Sequence, residues 1–234
     1  MSLVRLIIGL ILLSSCATKI RVPLNRMMAP ETVGGEMNPE FELSMQQQLD
    51  GKVDISQTEP YPVTYEPQSA MGYFMGLSLF ESLDFTWQHT ASAPSMFGFK
   101  WQFIGTSLSQ TPAGHSMALA GSFGGNEHEI DGNPKVEFTA SATDFSLIHG
   151  YWFSSFWQIY ESVSFASYRY DGELSGSTSG DFVESGKLMT AALGTSLYAK
   201  PYRLKGEVAY TQADWSASGK DSYLSFALGL GFVF

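Results

Sequence analysis

Phe226, Leu228, Leu230, Phe232 and Phe234 recur at every second position, and this spacing limits the chain more than any other feature. A period of two puts all five on one face of a strand. The other face holds Ala227, Gly229, Gly231 and Val233, mostly too small to fill a core. A bulky apolar face opposite a small one suits a strand whose outer surface meets lipid.

The alternation extends back to Met71. Met71, Tyr73, Met75, Leu77, Leu79, Leu83, Phe85 and Trp87 keep one parity, which reads as a single strand over 71–89. Glu81-Ser82 supplies no Gly, Pro or Asn for a turn within it. Further strands are expected over 96–108, 114–124, 134–153, 157–170, 187–199, 203–215 and 222–234. In 134–153 the apolar phase changes between Phe138 and Phe145, which predicts a β-bulge near Thr143-Asp144. Short connections at 109–113, 154–156 and 200–202 alternate with longer ones at 125–133, 171–185 and 216–221. That is the pattern of short periplasmic turns and longer outer loops. The expected fold is therefore all-β: an eight-stranded antiparallel up-and-down transmembrane β-barrel over residues 71–234. Eight is even, as closure with both ends on one side requires.

The other end of the chain points to export. Residues 1–15 carry one cation, Arg5, and an apolar run from Leu6 to Leu13, too short to span a bilayer and suited to a signal peptide. Leu13-Ser14-Ser15-Cys16 follows, and Cys16 is the one cysteine of the chain. Residues 16–70 hold six of the ten prolines and read as a periplasmic tether between a lipid and the barrel. Within it a short helix is predicted over 39–49. Asn38 suits the N-cap and Pro39 the first turn, Glu40 and Glu42 suit the dipole, and Phe41, Met45 and Leu49 share a face. The set Phe41, Leu43, Met45 also fits period two.

These two motifs carry resemblances. The Leu-Ser-Ser-Cys run resembles a bacterial lipobox, which implies acylation, palmitate included, at Cys16. The 226–234 strand resembles the closing strand of bacterial outer-membrane barrels. There Phe226, Leu228, Leu230, Phe232 and Phe234 would be read by the barrel assembly machinery. The 71–234 region as a whole is similar in architecture to the OmpA/OmpX type. The resemblance implies an integral outer-membrane protein, anchored by lipid in the periplasmic leaflet and in contact with outer-membrane lipid and lipopolysaccharide.

Charge and chemistry narrow the function further. Without residues 1–15 the chain keeps 12 of its 13 Lys and Arg against 23 Asp and Glu. That acidity argues against a nucleic-acid partner. His115 and Ser116 are adjacent, so on a strand they point to opposite faces and form no catalytic pair. No cofactor motif or metal-type Cys/His cluster is present, and the acidic stretch 126–133 lacks the spacing of a calcium loop. No catalytic or metal residue is assigned. Lys100, Lys205 and Glu207 fall on lumen faces, and Glu161 joins them if its strand is flipped. Such charges inside a narrow barrel should pair. Trp101, Trp152, Trp157, Tyr168, Tyr170 and Tyr198 read as interfacial anchors. The expected role is structural or surface interaction through the outer loops, with a partner the sequence does not name. A small-solute channel and a soluble lipocalin-like binding barrel are the alternatives.

Overall fold

The computed structural model describes residues 20–53, 63–90, 93–130, 135–176 and 179–234. The signal segment and Cys16 lie outside them. Among the described residues the chain forms eleven antiparallel strands and no helix. They are β1 (Ile20–Pro23), β2 (Pro39–Val53), β3 (Val63–Phe80), β4 (Leu83–Thr90), β5 (Ser95–Ile104), β6 (Gly114–Ile130), β7 (Lys135–Ser154), β8 (Trp157–Ser175), β9 (Gly180–Ala199), β10 (Tyr202–Trp215) and β11 (Gly219–Val233). Each strand from β2 to β11 pairs with its neighbour in sequence, and β11 pairs back onto β2. The wall is therefore a closed up-and-down ring of ten strands, not eight. Closure leaves no free edge along the paired length.

The two additional wall strands come from two corrected expectations. Residues 39–49 are strand, not helix: β2 pairs with β3 from Pro39↔Leu77 to Val53↔Val63. The period-two face won because Phe41, Leu43 and Met45 complete the exposed apolar wall beside Leu230 and Leu228. Residues 71–89 are not one strand. They turn at Glu81-Ser82, with Phe80↔Leu83 and Ser78↔Asp84 paired and Leu79 left over as a bulge. The bulge shifts β3 by one residue, which is why parity reads unbroken through the hairpin. The tether expected over 16–70 is therefore largely built into the barrel: 39–53 and 63–70 are wall strands, and 20–34 lie within the ring.

The outside of the wall has two zones. Near the end that carries Phe41, Tyr202 and Phe234, the outward side chains form an exposed apolar belt. On β8 to β11 it includes Val163 and Phe165, Met189, Leu193 and Leu197, Leu204 and Val208, and Phe226, Leu228, Leu230 and Phe232. It covers about nine residues per strand, roughly 30 Å of strand or about 25 Å of height once tilted. That height matches a bilayer's hydrocarbon band.

Beyond the belt the pattern inverts. Phe138, Tyr170, Leu174, Phe182, Leu188 and Trp215 are buried inside the barrel and form one apolar core with Ile20, Val22, Leu49 and Val63. Outward positions at that level are Glu137, Arg169, Asp171, Asp181 and Lys187. No bulge interrupts β7 near Thr143-Asp144, where the ladder with β8 is continuous. The phase change marks the level at which the apolar face passes from the outside of the wall to the inside. We call the belted end the turn end and the other the loop end. The turn-end connection at 105–113 is long, so the two ends differ less in loop length than in how far β6 to β9 rise past the belt.

Candidate functional site: the plugged lumen

Residues 20–38 thread the ring from loop end to turn end. β1 lies on the upper edge of β2, from Ile20↔Gly51 to Pro23↔Gln48. β11 occupies that edge only lower down, from Leu228↔Met45 to Val233↔Glu40. Below β1 the segment descends through the lumen, with its polar atoms met by the wall at each level. The Leu24 amide donates to the Gln47 carbonyl at 3.1 Å. The Arg26 guanidinium binds Asp144 at 2.7 Å and donates to the Tyr168 hydroxyl at 3.3 Å. The amides of Arg26 and Met27 donate to Glu207 at 3.2 and 3.1 Å. The Met27 carbonyl accepts from Lys205 at 2.6 Å, and the Glu31 carbonyl accepts from Lys100. Thr32 donates its amide to Gln102 at 2.8 Å, and Val33 donates to Asp84 at 3.0 Å. An irregular segment can lie in a low-dielectric interior only with its backbone satisfied in this way.

Glu31 is the centre of the lower lumen. Its carboxylate meets Arg203 at 3.1 Å and accepts from Trp152 Nε1 at 2.8 Å, and from Ser116 and Gln158. Arg203, only 1 % exposed, also reaches Glu40 at 3.4 Å. Lys205 pairs with Glu42, and Lys100 with Asp84 at 3.4 Å. Arg203, Lys205 and Glu207 stand at successive inward positions of β10, while Glu40 and Glu42 come from β2. β11 lies between these two strands. Its inward residues there are Gly229 and Gly231, which leave the space in which the pairs meet. A Cβ on Gly229 would sit 2.7 Å from a Glu42 oxygen and 3.0 Å from Met27 Cε.

Of the residues expected to line the lumen, Lys100, Lys205 and Glu207 are buried there together. Glu161 is not with them. It points outward, 67 % exposed, and accepts from His149 Nδ1 at 3.2 Å. His115 lies beside it on the outer wall while Ser116 faces in, so the two are apart as adjacency required. Phe226, Leu228, Leu230, Phe232 and Phe234 all face outward in the belt. Trp101 and Trp157 also face outward, whereas Trp152, Tyr168, Tyr170 and Tyr198 are buried inside and are not interfacial anchors. The partner of Trp152 is Glu31, and Tyr170 donates to the Arg21 carbonyl at 3.1 Å. Among the described residues no group of three His, Cys, Asp or Glu is placed to hold a metal.

Reasoning from sequence missed Arg203, Asp84, Glu40, Glu42 and Glu31. Arg203 and Asp84 were within its reach, since each has inward parity beside an outward Leu204 or Phe85. Glu31 lies in no strand and has no parity to read.

The plug is latched at the turn end. Gly34 and Gly35 both have φ of +75°, and a Cβ on Gly34 would collide with Ser107 Oγ at 2.2 Å. The Gly35 amide donates to Glu81 at 2.8 Å, and Ser107 and Ser109 donate to the same carboxylate. The serine hydroxyl of Ser107, then the Gly35 amide, hold the Glu81 carboxyl below its ordinary value of 4.5. A lowered carboxyl contributes stability above its unfolded value and loses it as pH falls through the folded one. The Gly35 amide resonance should therefore titrate with a midpoint below 4.5, and Glu81→Gln should abolish that titration. A Gly35 resonance indifferent to pH would contradict the latch.

A cavity beside Asn25, Arg26, Gln46 and His89 measures about 30 Å³. That is room for a water or two and too small for a solute path.

No known family model matches the chain, and no curated protein matches it. Solved structures do resemble it. Ail, the attachment invasion locus protein of Yersinia pestis, is 8% identical, with 86% of this chain and 100% of that chain covered at a TM-score of 0.41. Ail in complex with the heparin analogue sucrose octasulfate gives 9% identity over the same coverage at 0.39. Neisserial surface protein A is 11% identical, with 84% of this chain and 95% of that one covered, also at 0.39.

Proposed function

We propose that the chain is an integral outer-membrane β-barrel, closed by its own N-terminal segment, with a structural or surface-interaction role carried by the loop end. The observation that carries this reading is the inversion of the wall. Bulky apolar side chains face out through a membrane-high band, where Glu161 is the outward carboxylate on β8, and face in above it. A soluble lipocalin-like barrel would need the bulky face inward throughout, and a small-solute channel would need the lumen that Glu31, Arg203 and Lys205 occupy. The loop end offers outward charges, mostly carboxylates: Glu127, Glu129, Glu137, Asp171, Glu173 and Asp181 with Lys135 and Arg169 among them. The role is non-enzymatic in this reading. Acylation at Cys16 is an added anchor to a protein the wall already holds in the membrane.

Extraction tests this reading. The Cys16→Ser form should stay in the membrane pellet through carbonate and urea washes. It should also migrate faster on a gel unheated than boiled, as folded barrels do. Release of that form into the wash would sink the reading.

A further inference from the structure

We infer that the chain ahead of Ile20 leaves the barrel at the loop end and therefore emerges on the outer face of the membrane. This rests on the outer-membrane orientation proposed above, with the turn end in the periplasm. A tether running from the inner leaflet, as expected from sequence, would need residues 20–38 to run the opposite way.

The direction of threading follows from paired positions. Ile20 lies opposite Gly51, and Pro39 begins the same strand at the turn end. The twelve steps between residues 39 and 51 are roughly 40 Å of strand. Cys16 precedes Ile20 by four residues, which reach at most about 14 Å fully extended. Cys16 therefore cannot return to the turn end, whatever path those residues take. The wall next to Ile20 is the seam where β11 has separated from β2 and β1 has taken its place. On β2 the exposed apolar wall ends at Met45, and Gln47 above it accepts the Phe226 amide at 3.2 Å. An acyl group on Cys16 would accordingly enter the outer leaflet, not the periplasmic one.

The segment is fixed in this direction by its own chemistry. Reversal would bring Val22 and Leu24 out of the apolar core of the loop end into the ionic lower lumen. It would also take Glu31 away from Arg203. The second exchange leaves Arg203 without Glu31 in a buried site, and the first puts apolar side chains among buried charges.

The experiment places a protease site and an epitope between Thr18 and Lys19 of the full chain, expressed in a double-membraned host. Protease added to intact cells should cut the site and separate the N-terminal piece from the barrel on a gel, while a periplasmic marker protein stays whole. A second epitope appended after Phe234 should be reached only after permeabilisation. Fatty-acid labelling with a clickable palmitate analogue should tag the N-terminal piece, and Cys16→Ser should lose the tag but not the cleavage. Threading is read separately by a V22C/L49C pair in the Cys16→Ser background, which should form a disulfide across the β1–β2 ladder. Cleavage only after permeabilisation, in a protein that resists carbonate, overturns the inference while leaving the barrel reading intact. Release by carbonate removes the barrel reading instead.

Discussion

Arg203→Met should be among the most damaging single changes to this protein, lowering stability by about 3–5 kcal/mol. The side chain is almost fully buried, and its removal leaves the Glu31 and Glu40 carboxylates facing one another without their shared cation. Met approximates the volume, so the loss reads charge and not cavity. The expected result is a lower urea midpoint for loss of the fast-migrating gel form. Pairing Arg203→Met with Glu31→Gln should recover part of the loss, because one of the two orphaned charges is removed with its cation. A single variant as stable as the parent would show that the lower lumen is wet enough to screen these charges. In that case the plug is not held as described.

Removing the plug should convert a silent barrel into a conducting one. A chain in which the signal segment is joined directly to Asn38 lacks β1, Arg26, Glu31 and the backbone that fills the lumen. In planar bilayers the full chain is expected to show no current steps, and the shortened chain to show them. The pore should prefer cations. Lys100, Arg203 and Lys205 would line it against Asp84, Glu40, Glu42, Asp144 and Glu207, an excess of carboxylate. Loss of the plug also orphans charges, so the shortened chain will be less stable. A milder form, with residues 24–33 replaced by Gly and Ser, keeps the thread and should give intermittent current. Silence of both forms, in barrels shown to be folded by gel migration, would mean that something other than the plug closes the lumen.

Much of the wall is legible in the sequence, and the failures share one cause. Alternation located the closing strand and the inward Lys100, Lys205 and Glu207, because lipid on one side and a narrow lumen on the other leave a strict period of two. The reading broke where a second signal of equal local strength was present. Asn38-Pro39 and the two glutamates make a good helix start, yet a helix there would leave β3 and β11 as open edges in lipid. Closure of the ladder overrides propensity on those grounds. At Leu79 a bulge cancelled the parity change that would have revealed the hairpin. In β7 the phase change is real, but it marks the level where the apolar face passes from outside the wall to inside, with no bulge. The candidate site was half legible. Its wall residues have parity, whereas Glu31 and its neighbours owe their positions to a thread through the ring, which no local pattern encodes.

The glycines of β11 make the two ends of the chain answer for each other. Glu31, Glu40 and Glu42 are synthesised before Arg203 and Lys205, and β11 lies between the strands β2 and β10 whose charges meet. Until β11 is seated on β2, the carboxylates near the start of the chain have no cations and the cations near its end have no carboxylates. Pairing of these charges is thus tied to closure of the ring. A chain cut short before β10 lacks Arg203 and Lys205 and leaves Glu31, Glu40 and Glu42 without those partners. Because the thread contributes Glu31, the same condition checks that the plug is in place before the ring can rest closed.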